Sequence, residues 1–190
     1  MTVAISLQKQ LCSDRESVVW NLLCECDHEF MPPLSARESS FQTDLADQGR
    51  HDHDVRPHLY FTAMKQQCFL LAEVENEVVG FMTFRRNYTC SELASASPGN
   101  YVTTICVKRE WRRKGVAKAF YDFMLGTMDL DMVLPYVTTR TWSTNMGHIN
   151  LLQGLGFRVV ARLPNHRGEG IDTLYYAKNI SEFTWGGPHG

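Results

Sequence analysis

The string Arg112-Arg113-Lys114-Gly115-Val116-Ala117 carries the clearest chemical signal in this chain. It follows a β-branched run ending at Val107 and opens a helical pattern. The first N–H groups of a helix have no internal partner, and the helix dipole favours negative charge there. Such a turn therefore suits an anion. Gly115 lets a diphosphate approach the backbone with no Cβ in the way, Ala117 keeps the next turn slim, and Arg112, Arg113 and Lys114 add positive charge. The same string also makes an ordinary charged turn with no ligand. Its position at the C-terminal end of a strand, where open α/β sheets bind ligands, favours a site.

Other residues are candidates by type and spacing. Arg140 and Trp142 are two apart in an extended run, so they share one strand face. Lining a cleft, they suit an anionic or aromatic acceptor; otherwise they are a sheet-edge Arg and a core Trp. His148 lies in a helical run, and an imidazole titrates near neutral pH as acid or base. The alternative for His148 is local capping or packing. His51, His53 and His58 occupy a polar stretch with no ligand at metal spacing and read as a solvated loop. No metal is expected.

The elements that must hold these residues follow from periodicity. Ser13 and Glu16 form a capping box before a helix reaching about Asp27, with Val18, Val19, Leu22, Leu23 and Cys26 at helical spacing. Pro32-Pro33 turn the chain. Ser35 and Glu38 form a second box, with Phe41 and Leu45 as its buried stripe. A short helical piece spans about Leu59–Lys65. Strands Cys68–Val74 and Glu77–Arg86 make a hairpin across Glu75-Asn76. Tyr88–Asn100 reads as a loop, Tyr101–Val107 as a strand and Gly115–Met128 as a helix. Strand Met132–Trp142, helix Asn145–Leu155 and strands Phe157–Leu163 and Ile171–Lys178 follow, with Pro164–Gly170 as a flexible loop. Strand–helix–strand from Tyr101 to Trp142 requires a parallel pair with a crossover helix. The class is α/β, a single-domain mixed β-sheet flanked by helices, spanning 1–178 with a loosely held tail at 179–190.

Composition sets outer limits. At 190 residues the chain suits one domain. With 44% hydrophobic and 21% charged residues it is not a disordered chain. A net charge of −2 argues against a dedicated nucleic-acid binder, and no apolar run is long enough to span a bilayer. Six cysteines form no C-x-x-C pair, and no signal peptide is readable, so the expected compartment is the cytoplasm.

Arg112–Ala117 after the strand Tyr101–Val107 resembles the acetyl-CoA motif of the Gcn5-related N-acetyltransferase (GNAT) superfamily. Asn145, Leu151, Leu155, Gly156 and Phe157 resemble its late helix, which opens with Asn and ends in Leu-Gly-Phe, and AEVENEVVGFMTF resembles its second and third strands. The resemblance covers about Ser13 to Lys178. It implies that acetyl-CoA lies where the strands Tyr101–Val107 and Met132–Trp142 splay apart. Backbone groups of Ile105, Cys106 and Val107 would pair with the pantetheine arm, and the amides of Arg113 through Ala117 would hold the pyrophosphate. Asn145 would bind near the pantetheine, and the acetyl group would pass directly to an amine.

The family often places a Tyr, the acid for the leaving thiolate, at what is here Leu152. His148, one turn earlier, is the candidate substitute, with Tyr175 and Tyr176 as other hydroxyl sources. No carboxylate occurs in Tyr101–Val107, so Glu29, Glu73 and Asp172 are the candidate bases, each also readable as a surface carboxylate. The leading function is acetyl transfer to a primary amine of a small molecule or a peptide. The alternative is an acyl-CoA-binding sensor or partner module. A third reading, acetylation of aminoacyl-tRNA, is opposed by the net charge. No nucleic-acid or membrane partner is expected.

Overall fold

The protein was analysed as a computed structural model that describes residues 2–46 and 55–180. Strands β1 (Ala4–Gln8), β2 (Cys68–Val74), β3 (Glu77–Arg86), β4 (Gly99–Val107), β5 (Tyr136–Trp142), β6 (Arg158–Leu163) and β7 (Thr173–Asn179) build one sheet. Its order is β1-β2-β3-β4-β5-β7-β6. Only the β4–β5 pair is parallel, and helix α3 (Val116–Gly126) makes its crossover. Helices α1 (Ser13–Cys26), α2 (His58–Met64) and α4 (Met146–Gly154) complete the layers.

Strand alternation divides the sheet's apolar residues between two cores. Leu70, Ala72, Met82, Phe84 and Val102 face α3 and α4, meeting Phe120, Tyr121, Leu152 and Phe157. Phe69, Leu71, Phe81 and Cys106 face α1 and α2, meeting Leu22, Leu23, Tyr60 and Met64. The thiol of Cys106 is thus a core group, and the six cysteines are all unbridged.

The β4–β5 ladder positions the site. It pairs Gly99 with Tyr136 and ends at Val102 with Thr139. Beyond that point β4 runs on to Val107 and β5 to Trp142 without pairing with each other. Thr103 is an extra residue on β4, because Thr83 of β3 opposes Thr104 while Phe84 opposes Val102. A bulge bends and twists its strand, and this one falls where the two strands part. The expected splay is therefore present, with a local cause.

Several expectations are corrected. β1 had no place in the sequence reading, yet it pairs along β2 from Ala4–Glu73 to Gln8–Phe69. Neither capping box forms. Cys12, not Ser13, is the N-cap of α1 and makes no side-chain cap bond. Ser35 sits inside a 3₁₀ turn, Leu34–Ala36, and its N–H donates to Asp27 Oδ1 instead of to Glu38; no helix follows it among the described residues up to 46. Leu45 is buried as expected, but Phe41 is exposed. Residues 88–100 include a 3₁₀ turn at Ser91–Ala96, and β5 starts at Tyr136 rather than Met132. His58 opens α2 and stacks on Trp20 at 4.5 Å, so it is no part of a solvated loop; His51 and His53 lie outside the described residues. The connection at 164–170 is tightly bonded: Arg167 N–H donates to Ile171 O, and Asn165 Oδ1 accepts from Gly170 N–H. Asn179 closes β7 and Ile180 is buried, so the tail does not begin at 179; residues 181–190 lie outside the described ones.

Candidate active site

A cleft of about 480 Å³ runs through the gap between β4 and β5. At one end lies the turn into α3. A 3₁₀ turn, Arg109–Trp111, brings the chain off β4, and Arg113 and Gly115 adopt left-handed φ values of 59° and 85°. Glycine takes this conformation without strain. A Cβ at Gly115 would have no heavy atom within 4 Å, so the space before the helix is open. Gly115, Val116 and Ala117 all line the cleft. The residues present therefore fit an oxyanion seated on backbone amides.

The basic side chains of this turn are not equivalent. Arg112 turns inward, donating from Nε to Val107 O at 3.0 Å and from Nη1 to Glu29 Oε1 at 2.6 Å, with Glu25 at 3.7 Å. It braces the turn against α1 and occupies the Val107 carbonyl expected to face a pantetheine arm. Lys114 lies over the Trp111 ring at 4.8 Å. Arg113 lines the cleft.

Between the strands, Thr103, Thr104 and Ile105 of β4 line one wall, and Thr139, Arg140, Thr141 and Trp142 of β5 the other. Asn145 caps α4: its Oδ1 accepts from His148 N–H at 3.4 Å and its Nδ2 donates to Thr141 Oγ1 at 3.1 Å. His148 and Leu151 reach the cleft from α4. Leu152 does not; it is fully buried between α4 and the sheet. His148 Nε2 is 2.9 Å from Tyr121 Oη, and burial pushes the imidazole down to about 4. The ring is neutral at physiological pH. Tyr121 is itself buried, which raises its phenol above the ordinary value.

At the other end, Arg140 and Trp142 share one face of β5, as alternation requires. They meet Phe30, Arg37, Ser40 and Arg167 around the cleft. Trp142 lies 6.0 Å from Phe30. Arg140 donates to the carbonyls of Ser40 and Gln42 at 3.0 and 2.8 Å. The sequence reading gave Pro164–Gly170 as a flexible loop but singled out neither Arg37 nor Arg167; long-range packing brings both here. Of the candidate bases, only Glu29 lines the cleft. Glu73 pairs with Arg15, and Asp172 with Arg162. Tyr175 meets Arg140 through its hydroxyl at 3.4 Å, while Tyr176 is packed in the core. Among the described residues no group of three or more His, Cys, Asp or Glu is placed to hold a metal ion, and no helix is long and apolar enough to cross a membrane.

Comparison with known proteins agrees with this fold. The model of the acetyltransferase (GNAT) family matches residues 32–157. An N-alpha-acetyltransferase of Saccharolobus solfataricus is 27% identical over 130 residues, which is 65% of this chain and 78% of that protein. Among solved structures, the smu.2055 protein of Streptococcus mutans superposes with a TM-score of 0.61 at 18% identity, covering 95% of this chain and 99% of that one. The ribosomal-protein-S18-alanine N-acetyltransferase of Escherichia coli gives 0.59 at 12% identity, covering 99% and 100%. A strand pair that parts at a bulge, beside a glycine turn into a helix, thus stands within a sequence match covering most of the chain: this protein belongs to the GNAT acetyltransferase family.

Proposed function

We propose that the protein transfers an acetyl group from acetyl-CoA to a primary amine of a small molecule or peptide. The observation that carries this reading is one continuous cleft, open at the α3 turn and running between the ends of β4 and β5 that no longer pair with each other to the side that holds Arg140 and Trp142. Donor and acceptor can then approach from opposite faces and meet at the bulge, an arrangement that makes the transfer effectively intramolecular.

The donor supplies an acyl thioester, and the chain's residues supply position. Backbone amides from Arg113 to Ala117 seat the pyrophosphate. The free edge of β4, at Ile105 and Cys106, holds the pantetheine arm as an added strand would. The Val107 carbonyl is already engaged by Arg112, so its part is to fix the turn. Arg112 contributes by bracing, Lys114 by charge at the rim, and Asn145 by capping the helix that carries His148. With the Tyr121 hydroxyl donating to Nε2, the neutral His148 keeps its proton on Nδ1 and acts as a hydrogen-bond donor toward the leaving sulfur. A thiolate is a stable enough leaving group that no strong acid is needed. Six unbridged thiols fit a cytoplasmic setting.

The test is release of free CoA from acetyl-CoA across a broad panel of amines. Turnover that depends on the amine supports the reading. Saturable acetyl-CoA binding with no release against any amine would instead identify a binding module.

A further inference from the structure

Three guanidinium groups converge on the acceptor end of the cleft, and one carboxylate is among the described residues that line it. That carboxylate, Glu29, is held by Arg112. Arg37 is 6% exposed and Arg167 2% exposed, while Arg140 is half-buried. Neither Arg37 nor Arg140 is paired with a carboxylate among the described residues. Arg37 donates from Nε and Nη2 to the Pro32 carbonyl, and Arg140 to Ser40 O, Gln42 O and Tyr175 Oη. Carbonyl partners orient a guanidinium and leave its charge in place. Aromatic rings back two of the three: Arg37 lies over Phe30 at 5.8 Å and Arg167 over Trp142 at 5.6 Å. Burial first, with neighbouring arginine charge adding to it, lowers Arg37 to about 10 and Arg167 to about 9, so all three are close enough to repel. Each stays charged at neutral pH. For Arg37 and Arg140, charges held away from water are costly unless something of opposite sign joins them.

We propose that the acceptor amine carries an oxyanion, a carboxylate or phosphoryl group, within a few bonds of its nitrogen, and that Arg37, Arg140 and Arg167 bind that anion. This rests on the acetyl-transfer reading. Arginine's planar fork matches such anions bidentately. Arg140 stands on β5 just beyond its last pair with β4, so an anion bound there sets the attached amine beside the bulge where the thioester arrives. The chemistry is the same for a free amino acid and for an acidic first residue of a peptide.

The experiment compares acetylation of amino acids with that of their α-carboxamides, and of 2-aminoethylphosphonate with that of ethanolamine. A further arm compares tetrapeptides opening with Asp or Glu against those opening with Asn or Gln. The readout is kcat/KM from CoA release. The anionic member of a pair should be favoured by about 10- to 100-fold, the usual effect of a charge-assisted hydrogen bond. The arm showing the preference identifies the source of the anion. Arg37→Met and Arg140→Met should erase the preference through the acceptor KM and leave the acetyl-CoA KM unchanged. Equal use of acids and amides in every arm, or a change confined to the acetyl-CoA KM, would overturn the proposal. Calorimetric titration of the CoA-saturated protein with the same pairs decides the matter without turnover. If no amine is acetylated yet the anionic partner binds at least tenfold tighter, the transfer reading fails and the anion site stands. Equal or absent binding of both overturns the anion site itself.

Discussion

His148 keeps a neutral ring because burial disfavours its charged form, and this has a measurable consequence for stability. Its value of about 4 lies below the ordinary 6.5 of histidine. Between those limits the unfolded chain takes up a proton that the folded chain refuses. Stability from this group is therefore fully present above about pH 6.5 and is lost as pH falls toward 4. His148→Gln removes the titration. Its urea midpoint, converted to free energy, should fall less steeply with acid than that of the wild type, by about 1.4 kcal/mol per pH unit in that window. Other acid-titrating groups are common to both proteins, so the difference isolates this one; equal slopes would place the His148 proton elsewhere. The same depression bears on catalysis. The pH profile of kcat/KM should rise with deprotonation of the acceptor amine and show no inflection from His148 between pH 5 and 8. An inflection there that His148→Gln removes would restore general acid–base duty to the imidazole.

Among the elements, α4 shows why a spacing can be read and its facing missed. The sequence correctly places His148 and Leu152 one turn apart, but the helix turns Leu152 into the core and His148 and Leu151 to the cleft. Leu152→Tyr therefore restores no acid. It should overpack the layer between α4 and β7 and lower stability by about 1–3 kcal/mol, read as a lower thermal midpoint without gain in turnover. The hairpin between β2 and β3 was legible because Glu75 and Asn76 alone set its turn, both with positive φ. The α3 turn was legible for the same local reason. The stretch after Ser35 was not: Arg37 folds back on Pro32, while Ser40 and Gln42 are held by Arg140 from about a hundred residues away. No periodicity reports such contacts. β1 left a faint signal, the alternation of Val3, Ile5 and Leu7 against the core. At the α3 turn, Gly115→Ala adds a methyl in open space but strains φ, costing about 1 kcal/mol of stability. Its loss of CoA affinity by calorimetry should exceed that cost, because the methyl occupies the pyrophosphate's approach. Unchanged affinity would move the phosphates off this turn.

At the scale of the molecule, the cleft interrupts the sheet on which both cores are built. A net charge of −2 hid the arginines gathered around Arg140, since composition averages over a surface that packing later sorts. The two cores meet across β4, and beyond Val102 the only covalent route from β4 to β5 is the long one through α3. A ligand seated on the α3 turn and along the free β4 edge would contact both walls of this gap and bind only the folded chain. At a concentration a hundred times its dissociation constant, such a ligand stabilises by about 2.7 kcal/mol. For a domain of this size that corresponds to roughly 5–10 °C in thermal midpoint. Scanning calorimetry with increasing acetyl-CoA should show this rise. Gly115→Glu, which sets a carboxylate at the seat proposed for the phosphates, should keep a cooperative transition and lose the shift. Arg140→Met should keep the shift, because its guanidinium serves the other end of the cleft. A midpoint indifferent to acetyl-CoA in the wild type, or a shift that survives Gly115→Glu, would show that the gap between β4 and β5 is not where the donor binds.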